Sequence, residues 1–153
     1  MPHIWFLQDL VEIYADGEHS VLEMVAPPGD EPPLHVHNDS DEGFYLLEGE
    51  VTFWAGELER VLRPGEFVPG PKGVPHTYRV TSATPARFIV TSSTGAFAAF
   101  VQAYGVPAER RELPEPAAPD VDRLGRLAAE HGIELLGPPG MLPTELAMAT
   151  DRA

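Results

Sequence analysis

Prolines and glycines recur along the whole chain, and they limit what it can fold into. The 153 residues include 17 prolines and 14 glycines, many of them in turn-forming groups such as Pro27-Pro28-Gly29 and Pro69-Gly70-Pro71. Proline interrupts helices and central strands, and glycine supplies the backbone angles that tight turns require. The chain therefore predicts many short strands joined by turns rather than a bundle of long helices.

The stretch from Val11 to Ser93 alternates short β-prone runs with these turns. Many short strands at even spacing favour a β-sandwich or a barrel. We expect strands at residues 11–15, 20–26, 34–37, 43–48, 51–55, 58–62 and 86–92, with further strands near 66–70 and 75–80.

The character of the chain changes after Ser93. Residues 95–105 predict a helix with Phe97, Phe100, Val101 and Tyr104 on one face, and residues 120–132 predict another, with Asp120 as its N-cap. A proline-rich connector separates the two helices. We therefore expect a β-barrel at 1–94, helices and an extended segment at 95–140 packed on the barrel or on a partner subunit, and a flexible tail at 141–153.

The charge balance excludes several classes of partner. The chain has 24 acidic and 10 basic residues, a formal net charge of −14, and no basic cluster, so nucleic acid and anionic membranes are not expected partners. Its apolar runs are too short to span a bilayer. The N-terminal residues have no basic segment typical of a signal peptide, and a cytoplasmic protein is expected.

Cysteine is absent from the sequence. Disulfides, thiolate zinc sites, iron–sulfur clusters and thiol nucleophiles are thereby excluded. Any metal ion must be held by histidine, aspartate or glutamate side chains.

His35 and His37 are separated by one residue and follow Pro32-Pro33, which disfavours a helix. In a strand their side chains point to the same face, about 7 Å apart, which suits adjacent positions on one metal ion. Glu42 opens the next strand after an acidic loop and can return a carboxylate to that face. His76 begins a later strand after a turn fixed by Pro71, Gly73 and Pro75.

Three imidazoles and one carboxylate form the donor set that this pattern predicts. Such donors suit first-row divalent ions better than calcium or magnesium. We expect one such ion per chain, Mn, Fe, Co, Ni, Cu or Zn, with one or two positions left for substrate, water or dioxygen. The alternative is that the four residues are buried polar scaffolding, which is costly without a partner.

The spacing of these residues resembles the two motifs of the cupin superfamily. The second motif departs at its last position, where Val80 stands instead of asparagine. The resemblance implies a double-stranded β-helix, a jelly-roll barrel, with a metal ion inside. The matching residues are Gly29, His35, His37, Glu42 and Gly49 in the first motif and Gly65, Pro71, Gly73 and His76 in the second.

Within that superfamily the chain resembles the single-domain quercetinase-like proteins of actinobacteria, through "WFLQDLVEI", "APPGDEPPLHVHNDSDEGFYLLEGEVTFWAG" and "GIELLGPPG". Quercetinases are flavonol dioxygenases that cleave the heterocyclic ring and release carbon monoxide. The resemblance implies that His35, His37, Glu42 and His76 bind the metal and that Glu42 also takes the proton of the substrate hydroxyl. It also implies a homodimer, since cupins commonly pair barrel edges.

Four further residues are candidates for the substrate pocket. Phe44 and Leu46 share a strand face with Glu42, and Tyr78 and Val80 share one with His76. An apolar wall suits an aromatic substrate, although a packed barrel core gives the same pattern. Two alternatives to a dioxygenase stay open: a metal-dependent polyketide cyclase or isomerase, and a non-catalytic cupin that binds a small molecule.

Overall fold

Twelve β-strands and three short helices make up the fold, in a computed structural model that describes residues 2–151. The strands are β1 (His3–Phe6), β2 (Asp9–Asp16), β3 (Ser20–Ala26), β4 (Pro33–His37), β5 (Glu42–Glu48), β6 (Val51–Ala55), β7 (Leu58–Leu62), β8 (Phe67–Gly70), β9 (His76–Val80), β10 (Ala86–Ser92), β11 (Val106–Pro107) and β12 (Ile133–Pro139). The helices are α1 (Ala96–Tyr104), α2 (Val121–Glu130) and α3 (Pro143–Asp151).

The strands form two antiparallel sheets. The larger sheet has the order β11-β1-β2-β3-β10-β5-β8, and the smaller has the order β12-β4-β9-β6-β7. Strands distant in sequence are neighbours in both sheets, as in β10 beside β3 and β5. The sheets pack face to face as a jelly-roll barrel, so the predicted fold class is confirmed.

Alternation of side chains along the strands places the core between the sheets. In β3, Leu22 and Met24 are buried while their neighbours are half-exposed, and β10 and β6 follow the same rule. Aromatic side chains from opposite sheets meet there: the ring centroids of Phe44 and Phe53 lie 4.8 Å apart. Both rings also lie beside His76, with centroids 6.0 Å and 5.7 Å from that of its imidazole.

Helix α1 packs across the larger sheet near its β1–β2 edge. Phe6 of β1 contacts three aromatic rings of α1 edge-to-face, with centroids 5.4–6.4 Å away. The N-cap of α2 is Asp120, whose carboxylate accepts a hydrogen bond from the backbone N–H of Arg123, as expected. In α1, the apolar face predicted from the sequence is therefore the face that packs on the barrel.

The structure adds three strands that the sequence pattern does not predict, β1, β12 and the two-residue β11, which pairs with β1. β1 pairs with β2, and β12 pairs with β4 at the edge of the smaller sheet. The proline- and glycine-rich residues of β12 disfavour a strand, but as an edge strand β12 needs to pair on one side alone. The register shifts beside Gly137, where the backbone bends.

The division into 1–94, 95–140 and 141–153 stays a prediction. Residues 143–151 are helical here, and residues 152 and 153 of the expected flexible tail lie outside the described residues. In the part of the chain that the structure describes, no helix is long and apolar enough to cross a membrane.

Candidate functional site

Both sheets contribute to the cluster of histidines and glutamate. His35 and His37 lie on β4, and His76, the first residue of β9, is directly opposite His35 in the pairing of these strands. Glu42 opens β5 in the other sheet. The strand spacing places both β4 imidazoles on the inner face, and the cross-strand register adds the third.

The four side chains converge closely enough to hold one metal ion. One donor atom from each of them lies within 4.8 Å of the other three. Two ligands held at about 2.0–2.2 Å from a shared ion lie at most about 4.4 Å apart. The cluster is therefore close in size to the ligand set of a single ion.

Backbone carbonyls fix the orientation of two of the imidazoles. Nδ1 of His35 lies 2.7 Å from the carbonyl oxygen of Pro33, and Nδ1 of His76 lies 3.2 Å from that of Val74. Because a carbonyl can only accept, Nδ1 carries the hydrogen in His35, and its Nε2 presents a lone pair to the centre of the cluster, the form that binds a metal. His76 also has a hydrogen-bonding contact of 3.1 Å from its Nε2 to Oε2 of Glu42.

The carboxylate of Glu42 lies close to two of the imidazoles. Oε2 of Glu42 lies 3.1 Å from Nε2 of His76 and 3.2 Å from Nε2 of His37. The second contact is not a hydrogen bond by its geometry, and Nε2 of His37 is buried with no hydrogen-bond partner among the described residues. A cation satisfies every one of these atoms, so the donor set fits a divalent metal.

Burial keeps two of the imidazoles neutral. Desolvation lowers the pKa of His35 to about 3, with smaller contributions from His76 and His37, and it lowers the pKa of His37 to about 3, with a smaller contribution from His76. Both rings thus remain unprotonated at ordinary pH, which is the form that binds a metal ion.

An apolar cavity of about 580 Å³ opens beside the cluster. His35, His37 and Glu42 form part of its wall, and Phe97 of α1 packs edge-to-face on His37 at 5.7 Å. No lysine or arginine is among its described lining residues, and its carboxyl groups belong to Asp9, Asp30, Glu31 and Glu42. The cavity is therefore apolar with an acidic character.

The structure separates the four predicted pocket residues into two pairs. Phe44 and Tyr78 line the cavity. Leu46 and Val80 do not: each is 1% exposed and lies in the packed core further along its strand. Alternation correctly places all four on the inner face, but it does not show how far along each strand the cavity extends.

Two groups of lining residues have no counterpart in the sequence analysis. Asp9 and Asp30 line the cavity next to Tyr78, and nothing in their local sequence indicates this. The C-terminal segment supplies Phe97, Phe100, Leu124 and Ile133. The apolar face of the first predicted helix indicates that this helix packs on the barrel. It does not indicate that the helix covers a cavity.

Comparisons with known proteins agree with the geometry. The family model for the cupin domain matches residues 22–92, which include all four residues of the cluster. The chain is 34% identical to quercetin 2,3-dioxygenase of Bacillus subtilis (strain 168) over 110 residues, 71% of this chain. It spans about a third, 32%, of the length of that relative.

Solved structures show the same fold. The TT1209 protein of Thermus thermophilus is 33% identical, with a TM-score of 0.51 over 55% of this chain and 83% of that one. A sugar phosphate isomerase of the cupin superfamily from Silicibacter pomeroyi is 22% identical, with a TM-score of 0.52 over 56% of this chain and 59% of that one. At that identity the second likeness concerns the fold alone.

Proposed function

The chain belongs to the cupin family, and from that premise we propose that it is a metal-dependent dioxygenase acting on a flavonol-like or other hydroxylated aromatic molecule. The observation that carries the proposal is the meeting of three imidazoles and a carboxylate at the wall of an apolar cavity. The likeness to quercetin 2,3-dioxygenase supports the choice of reaction.

His35, His37, Glu42 and His76 would hold one first-row divalent ion per chain. When bound, such an ion supplies Lewis acidity towards chelating oxygens and a route for electrons to dioxygen. The chain's own contribution is the fixed orientation of the imidazoles, which the carbonyls of Pro33 and Val74 provide. Preorganised ligands of this kind need little rearrangement when the ion binds.

Glu42 would be both ligand and general base. A carboxylate has two oxygens with several lone-pair directions, so one can remain a ligand while the other accepts the proton of a substrate hydroxyl. The side chain of Glu42 is buried and lines the cavity, where a substrate would approach it. Exclusion of water by the apolar wall protects reactive species from quenching.

The lining of the cavity favours a neutral aromatic substrate. Its volume of about 580 Å³ is within the range for small-molecule sites, roughly 300–1,000 Å³. Apart from the ion that the histidines and Glu42 would hold, the described lining contains no cationic partner for a phosphate or carboxylate group. A sugar phosphate, the substrate class in the name of the Silicibacter pomeroyi neighbour, therefore fits this cavity poorly.

Metal content tests the site directly. We expect the purified protein to bind about one first-row divalent ion per chain, and His35→Ala and His76→Ala each to lose most of it, because each removes a ligand. His19→Ala, which removes an exposed histidine, is the matched control and should keep the ion. Elemental analysis measures the outcome, and unchanged metal content in both ligand variants would contradict the site.

Oxygen uptake tests the reaction. With the metal-loaded protein we expect consumption of dioxygen on addition of a flavonol, and its loss in Glu42→Gln, which keeps a ligand oxygen but not the base. Turnover of a cyclisable polyketone without dioxygen would instead select the metal-dependent cyclase or isomerase. Tight binding of flavonols with no turnover would indicate a non-catalytic binding protein.

A further inference from the structure

A second polar group lies in the wall of the same cavity, apart from the histidines and Glu42. Asp9 is the first residue of β2, paired across β1–β2 with Phe6, and Asp30 follows β3. The carbonyl of Asp30 accepts a hydrogen bond from the backbone N–H of Val80, which ties this turn to the end of β9. All three side chains of the group, those of Asp9, Asp30 and Tyr78, line the cavity.

The Asp9 carboxyl group is buried and incompletely paired. Asp9 is 3% exposed, and its Oδ1 has no hydrogen-bond partner among the described residues. Buried polar atoms in folded proteins nearly always have a partner. An orphaned oxygen on a side chain that lines a ligand-sized cavity is therefore explained if a ligand supplies the missing donor.

Burial raises the pKa of the Asp9 carboxyl group well above its ordinary value, and the nearby carboxyl group of Asp30 raises it further, while Tyr78 lowers it by a smaller amount. The neutral form is thereby favoured, and the unpaired Oδ1 can accept a hydrogen bond from a hydroxyl group.

We propose that Asp9, which lies beside Asp30 and Tyr78, binds a hydroxyl group of the substrate. Tyr78 is two residues from His76 on the same face of β9, a distance of about 7 Å along the strand. This proposal rests on the proposed function. It requires a substrate with two separated oxygen groups, one facing the histidines and Glu42 and a second facing Asp9. Aromatics with more than one hydroxyl group meet this requirement, whereas singly substituted ones do not.

Two small aromatic probes test the subsite without relying on turnover. We expect the metal-free, full-length protein to bind 2-naphthol at least as tightly as naphthalene, because Asp9 replaces the hydrogen bonds that the hydroxyl loses with water. In Asp9→Ala the affinity for 2-naphthol should fall about tenfold, while that for naphthalene stays within about twofold. Asp9→Asn, which keeps an acceptor oxygen, should retain the preference.

Ligand fluorescence during titration measures the affinity of each protein for both probes, and naphthalene reports whether the cavity is intact. If Asp9→Ala does not fold, Asp9→Leu is used in its place, because leucine fills the space and cannot accept a hydrogen bond. The proposal is overturned if 2-naphthol does not bind the wild type, if its affinity is unchanged in the variant, or if both probes weaken equally. A failure of the proposed function appears separately, as missing metal or missing oxygen uptake.

Discussion

The imidazoles of His35 and His37 show how single residues are prepared for a cation. Each is surrounded by apolar neighbours and other acceptors, so protonation is unfavourable and the pKa falls to about 3. In the same environment, one donor atom of each ring lies within 4.8 Å of the other donor atoms of the cluster. Without an ion, this arrangement should make the free energy of unfolding depend on pH.

For the metal-free protein we expect stability to fall as the pH drops from about 6.5 towards 3. The unfolded chain takes up protons at His35 and His37 near their ordinary pKa of 6.5, whereas the folded chain does not until about pH 3. Each such histidine contributes a slope of up to about 1.4 kcal/mol per pH unit. Urea unfolding between pH 7 and pH 4.5 measures the total slope.

His35→Gln should make that slope shallower, since one of the two histidines no longer titrates. His19→Gln, which removes an exposed histidine, should leave the slope unchanged. Equal slopes in His35→Gln and the wild type would show that this imidazole does not resist protonation.

Local spacing was sufficient to predict the residues of the cluster, whereas other site residues depend on distant contacts. His35, His37, Glu42 and His76 follow from strand alternation and motif spacing. Asp9 lines the cavity beside Asp30 and Tyr78, both of which are far from it in sequence. No periodicity in the segment around Asp9 reports such a contact.

At the scale of the elements, two turn glycines differ in what surrounds them. Gly49 has a φ of +88° and Gly65 a φ of +87°, so both adopt a conformation that other residues rarely do. A Cβ at Gly49 would lie 2.9 Å from the Cα of Ala86, while nothing lies within 4 Å of one at Gly65. Of these two turns, the β5–β6 turn at Gly49 is therefore the one that also packs closely against the backbone of another segment.

We therefore expect Gly49→Ala to destabilise the protein more than Gly65→Ala. The left-handed conformation alone costs an alanine about 1–2 kcal/mol. The clash with the Ala86 backbone should add about 1–3 kcal/mol for Gly49→Ala, as for overpacking in a core. Chemical denaturation compares the two variants, and equal losses would contradict the role assigned to this contact.

Helix α1 connects the C-terminal segment to the barrel through Phe100, which is 4% exposed and packs on Phe6 with centroids 5.4 Å apart. Phe100→Ala should lower the free energy of unfolding by about 3–5 kcal/mol. Val121→Ala, on the exposed side of α2, should change it by no more than about 0.5 kcal/mol. Both variants should unfold in one transition, followed by circular dichroism and tryptophan fluorescence.

A separate early transition in Phe100→Ala would show instead that residues after 94 fold independently of the barrel.

The sequence predicted α1, α2 and most strands, because their periodicity or alternation is local. It did not predict β12 as a strand, since pairing with β4 overrides the poor strand propensity of its glycine and prolines.

At the scale of the whole molecule, the two sheets end in exposed strands on one side. β7 is exposed at Leu58–Val61, with Leu58 46% and Val61 37% exposed, and Phe67 of β8 is 47% exposed. Open strand edges with apolar side chains tend to pair with another chain. A homodimer stays a prediction, and these edges are where we expect its interface.

Light scattering over a range of protein concentrations should give twice the chain mass of 16.7 kDa. Val61→Lys should weaken the association, because it places a charge in the apolar edge, whereas Val121→Lys should not. A monomer at all concentrations would contradict the dimer. Dissociation by both variants alike would contradict the location of its interface.

The cavity is lined both by residues of the barrel and by residues that follow it in the chain, and this has an evolutionary consequence. Residues after the barrel, such as Phe100 and Leu124, line the cavity, but none of the described ones belongs to the cluster of three histidines and Glu42. Mutation and selection can therefore reshape ligand preference through the carboxyl-terminal third of the chain while the ion-holding residues are conserved. Relatives that share the three histidines and the glutamate but differ in the segment after the barrel would then be expected to bind different ligands.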